Sequence, residues 1–184
     1  MLAHHDPLTC LMFFNQEEAR TVQAMTARMI PGTPDNPGAR EADAIVFIDR
    51  ALAGYVAYLQ TFYRRGIAAF DALCKERHGQ PFHLLNGDQQ DGMLRAIEGP
   101  GDHEQGDRMA QFFAVVYEHT LEGTFCDPVY GGNRDAVGWR MIGFPGAHWG
   151  YKPEQMRLGL DSRTIPVSTL ADIEAHDSTP QEGQ

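Results

Sequence analysis

The sequence predicts an all-α fold, an irregular bundle of about five helices with a glycine- and aromatic-rich C-terminal segment and an extended tail. Apolar residues recur at helical spacing through most of residues 15–122, and no stretch alternates for long enough to predict a strand. Short loops rich in proline and glycine separate the periodic stretches. With 184 residues, 42% of them hydrophobic, the chain can bury the core of one domain.

Clear start and stop signals predict the first two helices. Asn15 and Glu18 form a capping box at the start of the first helix, and Pro31 and Gly32 end it. The second helix follows a proline-rich loop and ends at Gly54. The inward-facing residues of these two helices are Val22, Met25, Met29, Ile30, Ile45, Ile48 and Leu52.

A long apolar period and a second cap predict the third and fourth helices. The third helix runs from about residue 59 to His78. Gly66 lies inside it, and because a glycine there costs about 1 kcal/mol relative to alanine, we expect a close helix crossing at this position. Asn86 and Gln89 form the capping box that starts the fourth helix.

The last long helix is predicted over residues 107–122, after a polar and flexible loop at 99–106. The loop contains Asp102, His103 and Glu104, which are typical of a solvated turn. The inward-facing residues of the helix are Met109, Phe112, Phe113, Val116 and Thr120.

Residues 127–146, which we call the docking segment, read DPVYGGNRDAVGWRMIGFPG and lack a period in their first half. A short helix is possible over residues 133–142. The segment has few apolar side chains to offset the entropy lost on ordering its backbone. We therefore expect it to be held by the helical body, by a partner protein, or by both. The alternative is a well-packed loop that only closes the core.

The docking segment contains three large aromatic residues, Tyr130, Trp139 and Phe144, and such residues dominate interface hot spots. They are predicted to anchor a partner, although each could instead belong to the core of this chain. The glycines would let the backbone turn and approach a neighbour closely. The predicted partner interface comprises Cys126, Asp127, Pro128, Tyr130, Gly131, Gly132, Asn133, Trp139, Gly143, Phe144 and Pro145.

Residues 147–184, which we call the C-terminal arm, become polar. This composition is typical of an arm or a tail rather than of a second domain. Such an arm either lies across a partner or stays without fixed structure. The chain is accordingly divided into a single helical domain over residues 1–146 and the arm.

The three cysteines, Cys10, Cys74 and Cys126, are too widely spaced for a C-x-x-C site and too few for a disulfide framework. Cys74 follows the helical period and is predicted to lie in the core. Cys126 stands directly before the docking segment, and two interpretations remain open for it. It is either a buried, inert thiol or a thiol that pairs across an interface.

Several functions lack support in the sequence. A net charge of −10 argues against nucleic-acid binding. The chain has no dinucleotide or phosphate-loop fingerprint and no apolar run long enough to span a bilayer. One enzymatic alternative is a stand-alone helical metal enzyme that uses Glu118, His119 and Glu122. On a helix, however, His119 is rotated by about 100° from Glu118, and a metal would need further ligands.

Six stretches carry a family resemblance. They are residues 15–20 (NQEEAR), 27–32 (ARMIPG), 35–42 (DNPGAREA), 47–52 (FIDRAL), 122–133 (EGTFCDPVYGGN) and 138–146 (GWRMIGFPG). The sequence resembles the gluconate 2-dehydrogenase subunit 3 family over roughly residues 11–147. The two stretches that include the docking segment are the most specific part of the resemblance.

The resemblance implies a small, non-catalytic subunit without a cofactor of its own. Its implied partner is a large FAD-binding subunit of the glucose–methanol–choline oxidoreductase type, which oxidises sugars, sugar acids or polyols. A separate cytochrome often accepts the electrons in such complexes. The small subunit supports folding and maturation of the large one, and in some cases a cysteine links the two. Cys126 stands at a suitable place for such a link, but the resemblance does not carry the pairing over to it.

The expected location also follows from the resemblance. Family members commonly begin with a twin-arginine export leader, and this sequence as written has none. A cytoplasmic complex is therefore expected, or a periplasmic one if a leader was removed.

Overall fold

The computed structural model describes residues 6–33, 35–99 and 104–177, and these ranges contain seven α-helices and no β-strand. The predicted all-α fold, an irregular helical bundle, is confirmed. The helices are α1 (Gln16–Met29), α2 (Ala44–Ala53), α3 (Gln60–His78), α4 (Gly87–Glu98), α5 (Glu104–Phe125), α6 (Val137–Ile142) and α7 (Leu170–Asp177). Short 3-10 turns lie before α1 and in several of the connections, with two of them in each of the last two connections.

Helix α5 is the central element of the bundle. It packs against α1, α2, α3 and α4, and its C-terminal end contacts α6. Phe112 and Val116 of α5 are fully buried, together with Tyr63 and Phe70 of α3. Because these four helices surround α5, the position where α5 ends fixes the place of the docking segment.

The predicted starts of α1 and α4 and the predicted ends of α2 and α3 are confirmed, whereas α2 begins at Ala44, several residues after the proline-rich loop. Asn15 accepts from the backbone N–H of Glu18 at 2.9 Å, and the Glu18 carboxylate accepts from the backbone N–H of Asn15 at 3.0 Å. The same reciprocal pair caps α4 at Asn86. Helix α2 ends at Gly54, and α3 ends at Gly79, which has a φ of +76° that a glycine adopts without strain.

The close helix crossing predicted at Gly66 is confirmed. A Cβ atom at Gly66 would lie 2.2 Å from Cδ2 of Phe112, far inside van der Waals contact. The glycine therefore lets the Phe112 ring of α5 lie directly on the backbone of α3. This contact offsets the low helix propensity of glycine.

Helix α5 is longer than the sequence predicted, and the expectation of a loop at residues 104–106 is wrong. The helix begins at Glu104 and extends to Phe125. Gly106 favoured a loop, but one glycine costs only about 1 kcal/mol and long helices tolerate it. Asp102 and His103 of the predicted loop lie outside the described residues.

A buried carboxylate ties the N-terminal residues to the bundle. Asp49 of α2 accepts hydrogen bonds from the backbone N–H groups of Met12, Phe13 and Phe14, at 2.6, 3.0 and 2.9 Å. Three N–H donors satisfy the buried charge. The entry into α1 is therefore fixed against α2.

The C-terminal arm folds back onto its own chain over its described part, residues 147–177. Ala147 donates to the carbonyl oxygen of Ser168 at 2.7 Å, and Ser168 donates to that of Pro145 at 3.0 Å. Helix α7 then begins behind Thr169, which exchanges hydrogen bonds with Asp172. The sequence interpretation missed this helix, although the Thr169–Asp172 spacing is a recognisable capping signal.

Candidate functional site

A buried asparagine of the docking segment, Asn133, anchors the segment to the C-terminal end of α5. Asn133 is fully buried, and its amide nitrogen donates to the carbonyl oxygen of Cys126 at 2.8 Å. Its amide oxygen accepts from the backbone N–H of Gly138 at 2.7 Å. One side chain thus joins the end of α5 to the first turn of α6.

Two glycines let this part of the segment lie directly on α5. A Cβ at Gly132 would lie 2.1 Å from the carbonyl oxygen of Gly123, and one at Gly138 would lie 2.0 Å from that of Thr124. Any side chain at either position would displace the segment from the helix. The close approach that the sequence predicted for its glycines occurs here with the helical body.

The three aromatic residues of the segment occupy different environments. Trp139 is only 5% exposed, and its indole N–H donates to the carbonyl oxygen of Phe125 at 2.7 Å. Phe144 packs edge-on against Trp139 with the ring centroids 5.3 Å apart, but it remains 43% exposed. Tyr130 is 57% exposed. Trp139 is therefore part of the core of this chain, whereas Tyr130 and Phe144 face solvent.

Asp127 connects the docking segment to the C-terminal arm. One carboxylate oxygen accepts from the backbone N–H of Val129 at 3.0 Å, and the other accepts from that of Leu170 at 2.8 Å. The Ser162 hydroxyl also donates to the carbonyl oxygen of Gly143 at 2.6 Å. The segment is therefore fixed between α5 on one side and the arm on the other.

The predicted interface residues consequently divide into three groups. The structure buries Asp127, Gly132, Asn133, Trp139, Gly143 and Pro145 within this chain. Cys126, Pro128 and Gly131 are partly exposed, and Tyr130 and Phe144 are exposed. The buried group shapes and supports the segment, and the other two groups supply the surface that a partner could reach.

The C-terminal arm exposes large apolar side chains that the sequence interpretation did not single out. Trp149 is 83% exposed, and Leu158 is fully exposed. Tyr151, Met156 and Leu160 are exposed as well. In the sequence these residues are visible as apolar side chains that follow no helical or strand period within a polar stretch. Local patterns alone therefore do not predict whether they are buried or exposed.

Two adjoining pockets that share Tyr55 and Glu122 lie beside the docking segment, and together we call them the tyrosine groove. Tyr58 and Glu118 line one pocket with this shared pair. The other pocket extends over Phe47 and Phe125 to Tyr130. Partial burial, and secondarily the nearby Glu118, raise the pKa of the Glu122 carboxyl. Burial, and secondarily the Glu122 charge, raise the pKa of the Tyr55 hydroxyl.

Cys126 is a partly buried thiol that also lines the tyrosine groove. Burial raises its pKa to about 11, against smaller opposing effects of backbone hydrogen bonds. It is therefore protonated at neutral pH and a weak nucleophile in the isolated chain. Cys74 is fully buried in the core, as its helical position indicated.

The metal-enzyme alternative finds no ligand set in the described part of the chain. No group of three or more His, Cys, Asp or Glu residues is placed to hold a metal ion there. His119 is buried, and its Nδ1 lies 2.8 Å from the Tyr63 hydroxyl with the two rings stacked. Burial lowers the pKa of His119 despite the opposing influence of Glu118, so the imidazole is neutral at pH 7.

Comparison with known proteins provides one match. The family model described as gluconate 2-dehydrogenase subunit 3 matches residues 16–146. This range includes five of the six sequence stretches noted above, and all of the sixth except Asn15. Searches of the curated proteins and of the solved structures found no match. Across the residues that the structure describes, none of the helices combines the length and hydrophobicity needed to cross a membrane.

Proposed function

The chain belongs to the gluconate 2-dehydrogenase subunit 3 family, and from this membership we propose that it is the non-catalytic small subunit of a heteromeric sugar or polyol dehydrogenase. In this proposal FAD and substrate bind to a large subunit of the glucose–methanol–choline type. The small subunit stabilises and matures that large subunit. Electrons pass onward to a cytochrome or another acceptor.

The observation that carries the proposal is the exposed apolar surface of the C-terminal arm. Trp149 and Leu158 project into solvent from an arm that is hydrogen-bonded to the docking segment through the Ser162 hydroxyl and the Ser168 backbone N–H. Large exposed apolar side chains concentrated in one segment are typical of protein interfaces. Tyr130 and Phe144 of the docking segment are exposed as well.

Stabilisation by such a subunit follows from mass action. A partner that binds only the native large subunit adds RT ln(1 + [L]/Kd) to its stability, about 2.7 kcal/mol at a hundredfold excess over Kd. Typical domains are stable by only about 5–15 kcal/mol, so this gain is a large fraction of the total. No chemistry by the small subunit is required for it.

Co-purification tests the proposal. The tagged chain is co-expressed with the large subunit of its complex, and recovery of the large subunit is compared for wild type, Trp149→Ala with Leu158→Ala, and Leu84→Ala. Leu84 is also exposed, but it lies on the connector between α3 and α4. It therefore controls for the loss of an exposed apolar side chain as such.

We expect the wild type and the Leu84 variant to recover the large subunit equally, and the arm variant to recover much less. Truncation of interface hot-spot residues typically costs 2 kcal/mol or more, which is about thirtyfold in affinity. Failure of the wild-type chain to retain the large subunit would contradict the proposal.

A further inference from the structure

The tyrosine groove contains two carboxylates without a positive partner. Glu118 and Glu122 are four residues apart on α5 and so lie on one face of the helix. Within the residues that the structure describes, no Arg, Lys or His forms an ion pair with either of them. Arg50 of α2 lies against Gly131.

The arrangement is unfavourable for the isolated chain. Like charges at this helical spacing destabilise a helix by about 0.2–0.5 kcal/mol, and partial burial adds a desolvation cost for Glu122. A cation placed between the two carboxylates would relieve the repulsion and offset the desolvation cost. The two carboxylates of the groove therefore favour binding of a positively charged group.

The tyrosines indicate which cation fits. A guanidinium is planar and weakly hydrated, pairs with carboxylates through several N–H donors and stacks on aromatic rings. A lysine ammonium is strongly hydrated and lacks the planar surface. Tyr55 and Tyr58 stand exposed beside the two carboxylates and offer apolar surface for the aliphatic stem of an arginine.

The charge of the chain argues against a second copy as the source of this cation. The chain carries 25 acidic and 15 basic residues, so two copies would bring together surfaces with a net charge of −10 each. The groove also reaches Tyr130 of the docking segment, which is exposed to a partner.

We propose that the tyrosine groove receives an arginine side chain of the large subunit, whose guanidinium pairs with Glu118 and Glu122 while its stem packs on Tyr55 and Tyr58. The proposal rests on the proposed function, because it requires a large subunit as partner. It adds a polar, orienting contact to the apolar contact of the arm.

Binding measurements with charge-matched variants test this contact. The dissociation constant for the purified large subunit is measured for wild type, for Glu118→Gln with Glu122→Gln, and for Glu76→Gln with Glu98→Gln. The control variant removes the same two charges from exposed positions on α3 and α4, outside the groove. All four residues are exposed, although the Glu122 carboxyl is partly shielded from water, and a thermal unfolding midpoint confirms that each variant is folded.

We expect the groove variant to weaken binding at least about tenfold, and the control variant to weaken it less than about threefold. Equal binding by wild type and groove variant would overturn the groove assignment and leave the proposed function standing. Absence of any complex with the wild-type chain would overturn both.

A cross-linking experiment identifies the occupant directly. Photoreactive benzoylphenylalanine replaces Tyr58 in the assembled complex, and the cross-linked peptide is identified by mass spectrometry. We expect a peptide of the large subunit with an arginine within a few residues of the cross-link. A cross-link to a second copy of this chain, or to a large-subunit peptide without a nearby arginine, would contradict the proposal.

Discussion

The indole N–H of Trp139 donates to the carbonyl oxygen of Phe125, the last residue of α5, at 2.7 Å. This bond holds the docking segment against the end of the central helix. Trp139→Phe removes the donor and leaves that carbonyl without this partner, so we expect the free energy of unfolding to fall by about 1–3 kcal/mol. Urea unfolding of the isolated chain measures the change.

Tyr130→Phe is the matched control, because Tyr130 lies in the same segment but is exposed. It should change the unfolding free energy by no more than about 0.5 kcal/mol. Equal stability of the two variants would contradict the assignment of Trp139 to the core.

Gly66 allows the crossing of α3 and α5 and should not tolerate a side chain. Gly66→Ala places a methyl group into the Phe112 ring, so we expect a loss of about 1–3 kcal/mol despite the better helix propensity of alanine. Gly92→Ala is the control, because no atom lies within 4 Å of a Cβ at Gly92 inside α4. That variant should gain up to about 1 kcal/mol. Thermal or urea unfolding measures the stability of both variants. A Gly66→Ala variant that is more stable than the wild type would contradict the close crossing of α3 and α5.

An ion pair between α1 and α4 should make stability depend on pH. Arg28 donates to both carboxylate oxygens of Asp91, at 2.7 and 2.6 Å, and these bonds hold the pKa of Asp91 below its ordinary value. A carboxyl whose pKa is lowered by folding contributes stability at pH values above its unfolded pKa of about 3.9. This stability is lost as the pH falls through the folded pKa.

Asp91→Asn should therefore lose about 0.2–1 kcal/mol at pH 7, since the pair is partly exposed, and little at pH 2. Glu98→Gln at the exposed end of α4 controls for the loss of one charge. Urea unfolding at both pH values measures the difference. A loss that is the same at pH 2 and pH 7 would show that the pair does not contribute through its charge.

The three cysteines should react with iodoacetamide at different rates. Cys10 is exposed, whereas burial raises the pKa of Cys74 to about 12 and that of Cys126 to about 11. At pH 8 we expect rapid alkylation of Cys10 and slow alkylation of the other two, with all three reacting in urea. Peptide mass spectrometry after timed quenching measures each site. Rapid labelling of Cys126 in the folded chain would contradict its partly buried, protonated state.

Local signals in the sequence predicted most of the helical body. The caps at Asn15 and Asn86, the stop at Gly54 and the crossing at Gly66 depend on residue types with well-defined conformational effects. Helix α5 was predicted too short because one glycine, Gly106, favoured a loop, although a single glycine costs a helix only about 1 kcal/mol.

The docking segment shows where sequence reasoning ended. Composition identified residues 127–146 as unusual. It could not show that Trp139 is buried while Tyr130 and Phe144 are exposed, because burial in this segment depends on contacts with the end of α5 and with the C-terminal arm. The tyrosine groove was missed for the same reason. Tyr55, Tyr58 and Glu122 come from distant parts of the sequence and meet only in the fold.

Whether this chain matures a flavoprotein is decided by the flavin content and activity of the large subunit, expressed with and without it. The proposed function predicts that the large subunit is soluble, flavin-loaded and active only when the chain is co-expressed. A large subunit that is equally soluble, loaded and active alone would contradict it, as would substrate turnover by this chain in isolation.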